Sequence, residues 1–195
     1  MKKKQTLSQI TQLDDSLIFK SPIMELRKRQ IKFDQQGIEH PFYYFKARNW
    51  CNVIPITTRQ TIVMVKQFRV GTDQISLELP GGVVDDHETD ASISALRELN
   101  EETGYELDPK GKLIPLGWVH PNPAIQNNQC FSFVAYPVSL KKAQKLDPTE
   151  EIEIIEIPIH ELGNKILNQE ITHGLMLNTF FYLSLAHPDG IQGFL

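Results

Sequence analysis

Cysteine is scarce: Cys51 and Cys130 are the only 2 in 195 residues. They stand far apart, each inside an apolar, strand-like segment, which points to two reduced, buried thiols rather than a disulfide framework. No apolar run approaches the roughly 20 residues that a membrane-crossing helix needs. Basic charge is also short, with 20 Lys and Arg against 24 Asp and Glu for a net charge of −4. That balance speaks against long RNA or DNA as a partner. Small phosphorylated molecules stay open, because a bound metal ion can supply positive charge locally. The histidines, His40, His87, His120, His160, His173 and His187, show no His-x3-His spacing and the cysteines no Cys-x2-Cys, so a zinc site is not expected. There is no Gly-x4-Gly-Lys-Ser/Thr loop and no Gly-x-Ser-x-Gly elbow. Met1-Lys2-Lys3-Lys4 looks like the start of an export signal, but residues 5–17 are mixed polar sequence with Asp14 and Asp15 and no apolar core. The expected compartment is the cytoplasm.

What is present is a globular composition, 41% hydrophobic and 23% charged, in a chain that suits one domain with its own core. Residues 23–33 alternate in part, and after Asp34-Gln35-Gln36-Gly37 comes Phe42-Tyr43-Tyr44-Phe45, which reads as a β-hairpin. Further strands are expected at 51–57, 62–68, 75–79, 113–119, 130–138 and 152–157. Asp90 or Thr89 can cap a helix in which Ala91, Ala95 and Leu99 share one face with Leu96 beside them, and Gly104 is a natural stop. That leaves Glu98, Glu101 and Glu102 turned away from the core. Two more helices are expected at 159–167 and 175–185, the second with Phe180, Phe181 and Leu183 on an apolar surface. Strands that outnumber and flank helices give a mixed α/β fold with helices packed on a sheet.

The densest chemistry lies in Leu79-Pro80-Gly81-Gly82 and in Arg97-Glu98-Leu99-Asn100-Glu101-Glu102-Thr103-Gly104. On a helix, Glu98 stands three residues from Glu101 and four from Glu102, so the three acids project from one face about a turn long. Each like-charged pair costs a few tenths of a kcal/mol, an arrangement that makes sense if hard divalent cations sit among the oxygens. Arg97 is four residues before Glu101 and can pair with it, fixing the direction of the carboxylate. The plainer alternatives are a solvated acidic helix face and, for Gly81-Gly82, an ordinary turn.

Taken together, residues 82–105 resemble the Nudix box, Gly-x5-Glu-x7-Arg-Glu-U-x-Glu-Glu-x-Gly-U, where U is apolar. Arg97, Glu98, Leu99, Glu101, Glu102 and Gly104 stand in place, with Tyr105 as the last U. Gly82 reaches Glu88 across five residues as in the pattern, but eight residues rather than seven separate Glu88 from Arg97, and His87 stands where a glycine is usual. The resemblance implies a Nudix α/β/α sandwich with a mixed β-sheet, preceded by a short N-terminal β-hairpin region. Residues 1–48 would form an N-terminal strand pair serving as a dimer contact, and residues 49–195 the hydrolase domain. It implies Mg²⁺, or Mn²⁺, held by Glu98, Glu101, Glu102, the carbonyl of Gly81 and an acid of the later loop, Glu150 ahead of Glu151. Glu101, as ligand or base, Glu102 and Arg97 would serve catalysis.

Two features bear on substrate. Pro121 follows Tyr105 by sixteen residues, a spacing that marks hydrolases of ADP-ribose and related nucleoside-diphosphate sugars in this family, and Gln67-Phe68-Arg69 resembles a strand of that branch whose arginine contacts substrate. An ordinary loop proline and an exposed strand arginine are the alternatives. The loop Asn122-Pro123-Ala124-Ile125-Gln126-Asn127-Asn128 lacks the glycine and acid common in strict ADP-ribose enzymes and is similar to relatives acting on nucleoside-diphosphate sugars more broadly. The implied activity is therefore cleavage of a small nucleoside diphosphate linked to a second moiety, by a homodimer without a membrane or long nucleic-acid partner. Nucleoside triphosphates, dinucleoside polyphosphates or capped RNA 5′ ends are alternative substrates, and a non-catalytic nucleotide-sensing domain is an alternative role.

Overall fold

The computed structural model describes residues 9–85, 87–88 and 90–186. Thr89, His187 and the stretch Met1-Lys2-Lys3-Lys4 lie outside them. The chain divides into two compact units.

The first unit takes the residues up to Arg48 together with His120–Asn128. Its sheet is antiparallel, in the order β1 (Ile10–Lys20), β2 (Met24–Phe33), β3 (Ile38–Ala47). The β2–β3 pair is the expected hairpin, turning through Gly37 at φ 66°. β1 was not expected. Its pairing with β2 slips between Gln12 and Asp14 and again between Leu17 and Phe19, so its sequence shows no clean alternation of period two. The acid in its middle has a reason: Asp15 accepts from Arg27 Nε at 2.7 Å, Arg29 Nη2 at 2.7 Å and the Tyr44 hydroxyl at 2.8 Å. The two guanidinium groups hold its carboxyl well below the usual carboxylate range. Residues 120–128 attach to β3 through the Phe45 N–H, which donates to the Ile125 carbonyl at 2.8 Å.

The second unit holds β4 (Trp50–Thr57), β5 (Thr61–Arg69), β6 (Gln74–Glu78), β7 (Gly81–Val83), α1 (Ala91–Thr103), β8 (Tyr105–Val119), β9 (Cys130–Leu140), β10 (Ile152–Pro158), α2 (Leu162–Leu167) and α3 (Gly174–Ala186). Its sheet runs β10-β5-β4-β9-β8, with β6 paired to β5 and β7 to β4. β4 and β9 are parallel and the other pairs antiparallel, so the sheet is mixed. Successive strand residues face opposite ways, and the core follows that rule. Cys51 and Val53 of β4, Val63 of β5 and Phe133 and Ala135 of β9 pack with Ala95 and Leu99 of α1. Ile54, Ile56, Ile62, Met64 and Val134 pack on the other face with Met176, Phe180 and Leu183 of α3. Helices on both faces explain why β4 reads as a mainly apolar run rather than an alternating one.

Several local expectations change. Gly81 and Gly82 belong to a short strand rather than a plain turn, because they pair with Asn52 and Cys51 of β4. β8 begins at Tyr105, well before residue 113, and its ladder is interrupted between Leu107 and Lys112, which hides the first half from pattern reading. Residues 159–167 form a 3-10 turn, Ile159–Glu161, followed by the six-residue α2. Leu96 and Phe181 are exposed rather than part of the core. Both cysteines are buried and free. Among the described residues no helix is long and apolar enough to cross a membrane.

Candidate active site

The acidic helix is fixed at both ends. Asp90 caps α1 by accepting from the Ser92 N–H at 2.9 Å. Gly104 ends it in the left-handed region at φ 72°, where a Cβ would run into the Lys142 carbonyl. Between these ends the helix lies against β7 with almost no separation. A Cβ on Gly82 would collide with the Glu98 carboxylate, and one on Gly81 with the Cys51 carbonyl. Gly82 is therefore what lets Glu98 approach β7, and Gly81 what lets β7 lie close against β4.

Glu102 is the most enclosed of the three, 4% exposed, contrary to the expectation that it turns away from the interior. One of its oxygens accepts from the Gly81 N–H at 2.9 Å. Burial pushes its carboxyl up to about 8 against the pull of that N–H, and the charges of Glu98 and Glu150 add to the rise. Burial also raises Glu98, although Arg97 opposes it. Two carboxyls whose ionisation is disfavoured in this way make a site that a divalent cation would relieve, and its donors are all oxygen, which suits a hard ion.

Arg97 gathers the remaining acids. Its Nη1 donates to Glu98 at 2.9 Å and to Glu101 at 3.0 Å, and its Nη2 to the Val83 carbonyl at 3.2 Å. Glu88 lies 3.5 Å from Arg97 Nε across the extra residue, and it also accepts from the Ser94 hydroxyl. Asp85 is 3.6 Å from Arg97 Nη2. Among the described residues, the three-membered group whose ligand atoms converge within 4.8 Å is Asp85, His87 and Glu88. The helical glutamates are spread instead, Glu98 and Glu101 towards Arg97 and Glu102 towards Gly81.

Glu150 and Arg69 stand in the same unit. Glu150 is exposed in the loop between β9 and β10 and accepts from the Asp147 N–H at 2.9 Å, and its charge acts on Glu98, Glu102 and Arg69. Glu151 is also exposed. Arg69, at the end of β5, donates to Glu78 through Nε at 2.8 Å and Nη2 at 2.6 Å. Glu78 is fully buried and was not foreseen; the available signal was a lone acid between Leu77 and Leu79 in a strand-like run. Pro121 belongs to the first unit, in its segment His120–Asn128.

Comparison with known proteins shows the family of the chain. The family model described as "NUDIX domain" matches residues 48–179. A "Methanol dehydrogenase activator" of Bacillus methanolicus is 34% identical over 134 residues, covering 68% of this chain and 70% of the relative. An "ADP-ribose pyrophosphatase" of Bacillus subtilis (strain 168) is 29% identical over the same shares of the two chains. A "GDP-mannose pyrophosphatase" of Salmonella typhimurium is 28% identical over 67% of this chain and 70% of its own. The crystal structure of an "ADP compounds hydrolase" shares the fold with a TM-score of 0.83 at 17% identity, over 98% of this chain and 100% of that one. The matched span contains α1, the glycines of β7 and the whole second sheet, and the chain belongs to the Nudix family.

Proposed function

We propose that the protein is a metal-dependent pyrophosphatase that cleaves the phosphoanhydride of a nucleoside diphosphate linked to another moiety. ADP-ribose and nucleoside-diphosphate sugars are the substrates, and a nucleoside monophosphate and a sugar phosphate the products. The observation that carries this reading is the pair Glu98, half-buried against Gly82, and Glu102, buried and bonded to the Gly81 N–H, with burial raising both carboxyls. The substrate class is supported by the relatives whose names are ADP-ribose pyrophosphatase and GDP-mannose pyrophosphatase.

Metal dependence is general in this family, and Mg²⁺, with Mn²⁺ as a substitute, is the proposed ion. Glu98, Glu102 and the Gly81 carbonyl would hold it, with Glu101 and Glu150 able to complete the shell. When bound, the ion neutralises diphosphate charge and makes a water nucleophilic near neutral pH. The chain's own contribution is orientation. Arg97 grips Glu98 and Glu101 through a single Nη1, so the two carboxylates turn together. Glu101, whose side chain is one-third exposed, can take the proton of the attacking water as the bridging P–O bond breaks. Arg69 and Pro121 are the proposed substrate contacts. The first unit carries exposed Ile10, Leu13, Leu17, Phe19, Phe42 and Tyr43, which supports residues 1–48 as the contact of a homodimer and 49–195 as the hydrolase domain. Two free buried thiols fit the cytoplasm.

The test is a panel of ADP-ribose, nucleoside-diphosphate sugars and nucleoside triphosphates with Mg²⁺ or Mn²⁺ and product identification. ADP-ribose should yield AMP and ribose 5-phosphate. Absence of turnover on every diphosphate-linked compound would end this reading, and pyrophosphate release from a triphosphate faster than any diphosphate is cut would replace it.

A further inference from the structure

The pair Arg69–Glu78 is built like part of a binding site. On β6, Leu77 packs into the core beneath α3, so Glu78 points to the opposite face, the one that α1 covers. On β5, Val63 belongs to the α1 face, and Arg69, an even number of residues on, shares it. The register sets Glu78 opposite Val65, four residues before Arg69. The arginine stem therefore runs back along its own strand to reach the acid, on the side that carries Glu98 and Glu102. Its charge acts on Glu102, and that of Glu150 acts on it.

Glu78 occupies only one edge of the guanidinium, Nε and Nη2. Among the described residues no other acceptor bonds to that guanidinium, and the side chain is 42% exposed while its partner is wholly buried. The end-on edge, one Nη1 hydrogen and the second Nη2 hydrogen, is left to meet two oxygens of one phosphate.

We infer that Glu78 is a positioning residue for the diphosphate of the substrate, holding Arg69 by its side edge so that its end edge is already directed when a nucleoside diphosphate arrives. This rests on the reading of the site as one for nucleoside diphosphates. The pair carries no net charge, so its contribution is geometric: an arginine ordered in advance loses less freedom on binding than one ordered by the ligand. Bulk neutralisation of the phosphates is left to the metal.

Titration calorimetry with the non-hydrolysable α,β-methylene analogue of ADP-ribose and Mg²⁺ tests this on wild type, Glu78→Gln, Arg69→Ala and the double variant, with hydrolysis of ADP-ribose followed separately. The amide keeps the volume of Glu78 but offers one acceptor, so Glu78→Gln should weaken binding about tenfold. In the Arg69→Ala background the same change should move Kd less than twofold. Losses that multiply, or wild-type affinity in folded Glu78→Gln, overturn the inference. If Glu78→Gln does not fold, Glu78→Asp, which keeps the buried charge, carries the same expectation with a smaller loss, and wild-type affinity there is equally fatal. Wild-type protein that binds the analogue with this coupling yet cuts no ADP-ribose would remove the proposed activity and leave the inference standing.

Discussion

Replacing Glu102 by glutamine separates stability from catalysis, because the metal-free protein and the metal-bound enzyme make opposite demands on this side chain. In the metal-free protein burial moves the carboxyl from its ordinary value of 4.5 up to about 8. The folded state therefore binds the proton more tightly than the unfolded chain. Stability from this group is full below pH 4.5 and falls as pH rises towards 8. The loss is on the order of 3 kcal/mol by pH 7 and 5 kcal/mol above pH 8. Glutamine does not ionise, and its amide oxygen can still accept from the Gly81 N–H. Its NH₂ needs a partner in a buried place, which costs about 1–3 kcal/mol.

The net expectation for Glu102→Gln in EDTA at pH 8.5 is a gain of about 2–4 kcal/mol over wild type. For a chain of this length that is a Tm higher by about 4 to 16 °C. At pH 4.5 the advantage should vanish or reverse. With Mg²⁺ the order inverts: wild type gains stability and the variant does not, and kcat falls at least about a hundredfold. Thermal melts at both pH values, with EDTA and with Mg²⁺, and steady-state hydrolysis of ADP-ribose supply the readouts. A variant that melts below wild type in EDTA at pH 8.5 refutes the burial reasoning, and one that keeps near-wild-type turnover refutes the assignment of Glu102 to the metal.

Gly82→Ala should fold and melt within about 3 °C of wild type, since the nearest atoms its Cβ meets are those of the movable end of Glu98, yet lose tenfold or more in kcat/KM as that carboxylate is displaced; unchanged kinetics would detach Glu98 from the site. Asp90→Ala removes the cap bond to Ser92 and should lower stability by about 1 kcal/mol with kcat retained, which urea melts and initial rates together check. Gly104→Ala should cost more than the cap, several kcal/mol, because the left-handed backbone and the Lys142 carbonyl both oppose a Cβ, and a loss below 1 kcal/mol by the same melts would contradict the contact.

The parts of this molecule that were legible in the sequence are those in which a local pattern and its purpose coincide. α1 could be read from Asp90 to Gly104 because cap, apolar face and αL glycine are all local. β4, β5 and β9 could be read because strands buried on both faces are mostly apolar along their length. β1 was illegible for the converse reason: Asp15 is explained by Arg27, Arg29 and Tyr44 on two other strands, and two slips in register erase the alternation. Glu78 was missed in the same way. An acid in a strand has no local signature, and its partner Arg69 lies along the neighbouring strand rather than opposite it.

The same distinction bears on the one departure of the box from its family pattern. The extra residue falls between Glu88 and Arg97, but the helix that carries the proposed metal ligands is registered by Asp90 at its start and Gly104 at its end. Every spacing from Arg97 to Gly104 lies inside that helix. Arg97 is long enough to come within 3.5 Å of Glu88 while its other nitrogens hold Glu98, Glu101 and the Val83 carbonyl. Glu88 is tied in addition to Ser94, on the first turns of the helix itself. The contacts of α1 with β7 are the Arg97 bond to the Val83 carbonyl, the Glu102 bond to the Gly81 N–H and the close approach of Glu98 to Gly82, and each is made by a residue inside the helix. The spacings and contacts that hold Glu98 and Glu102 therefore do not pass through the extra residue.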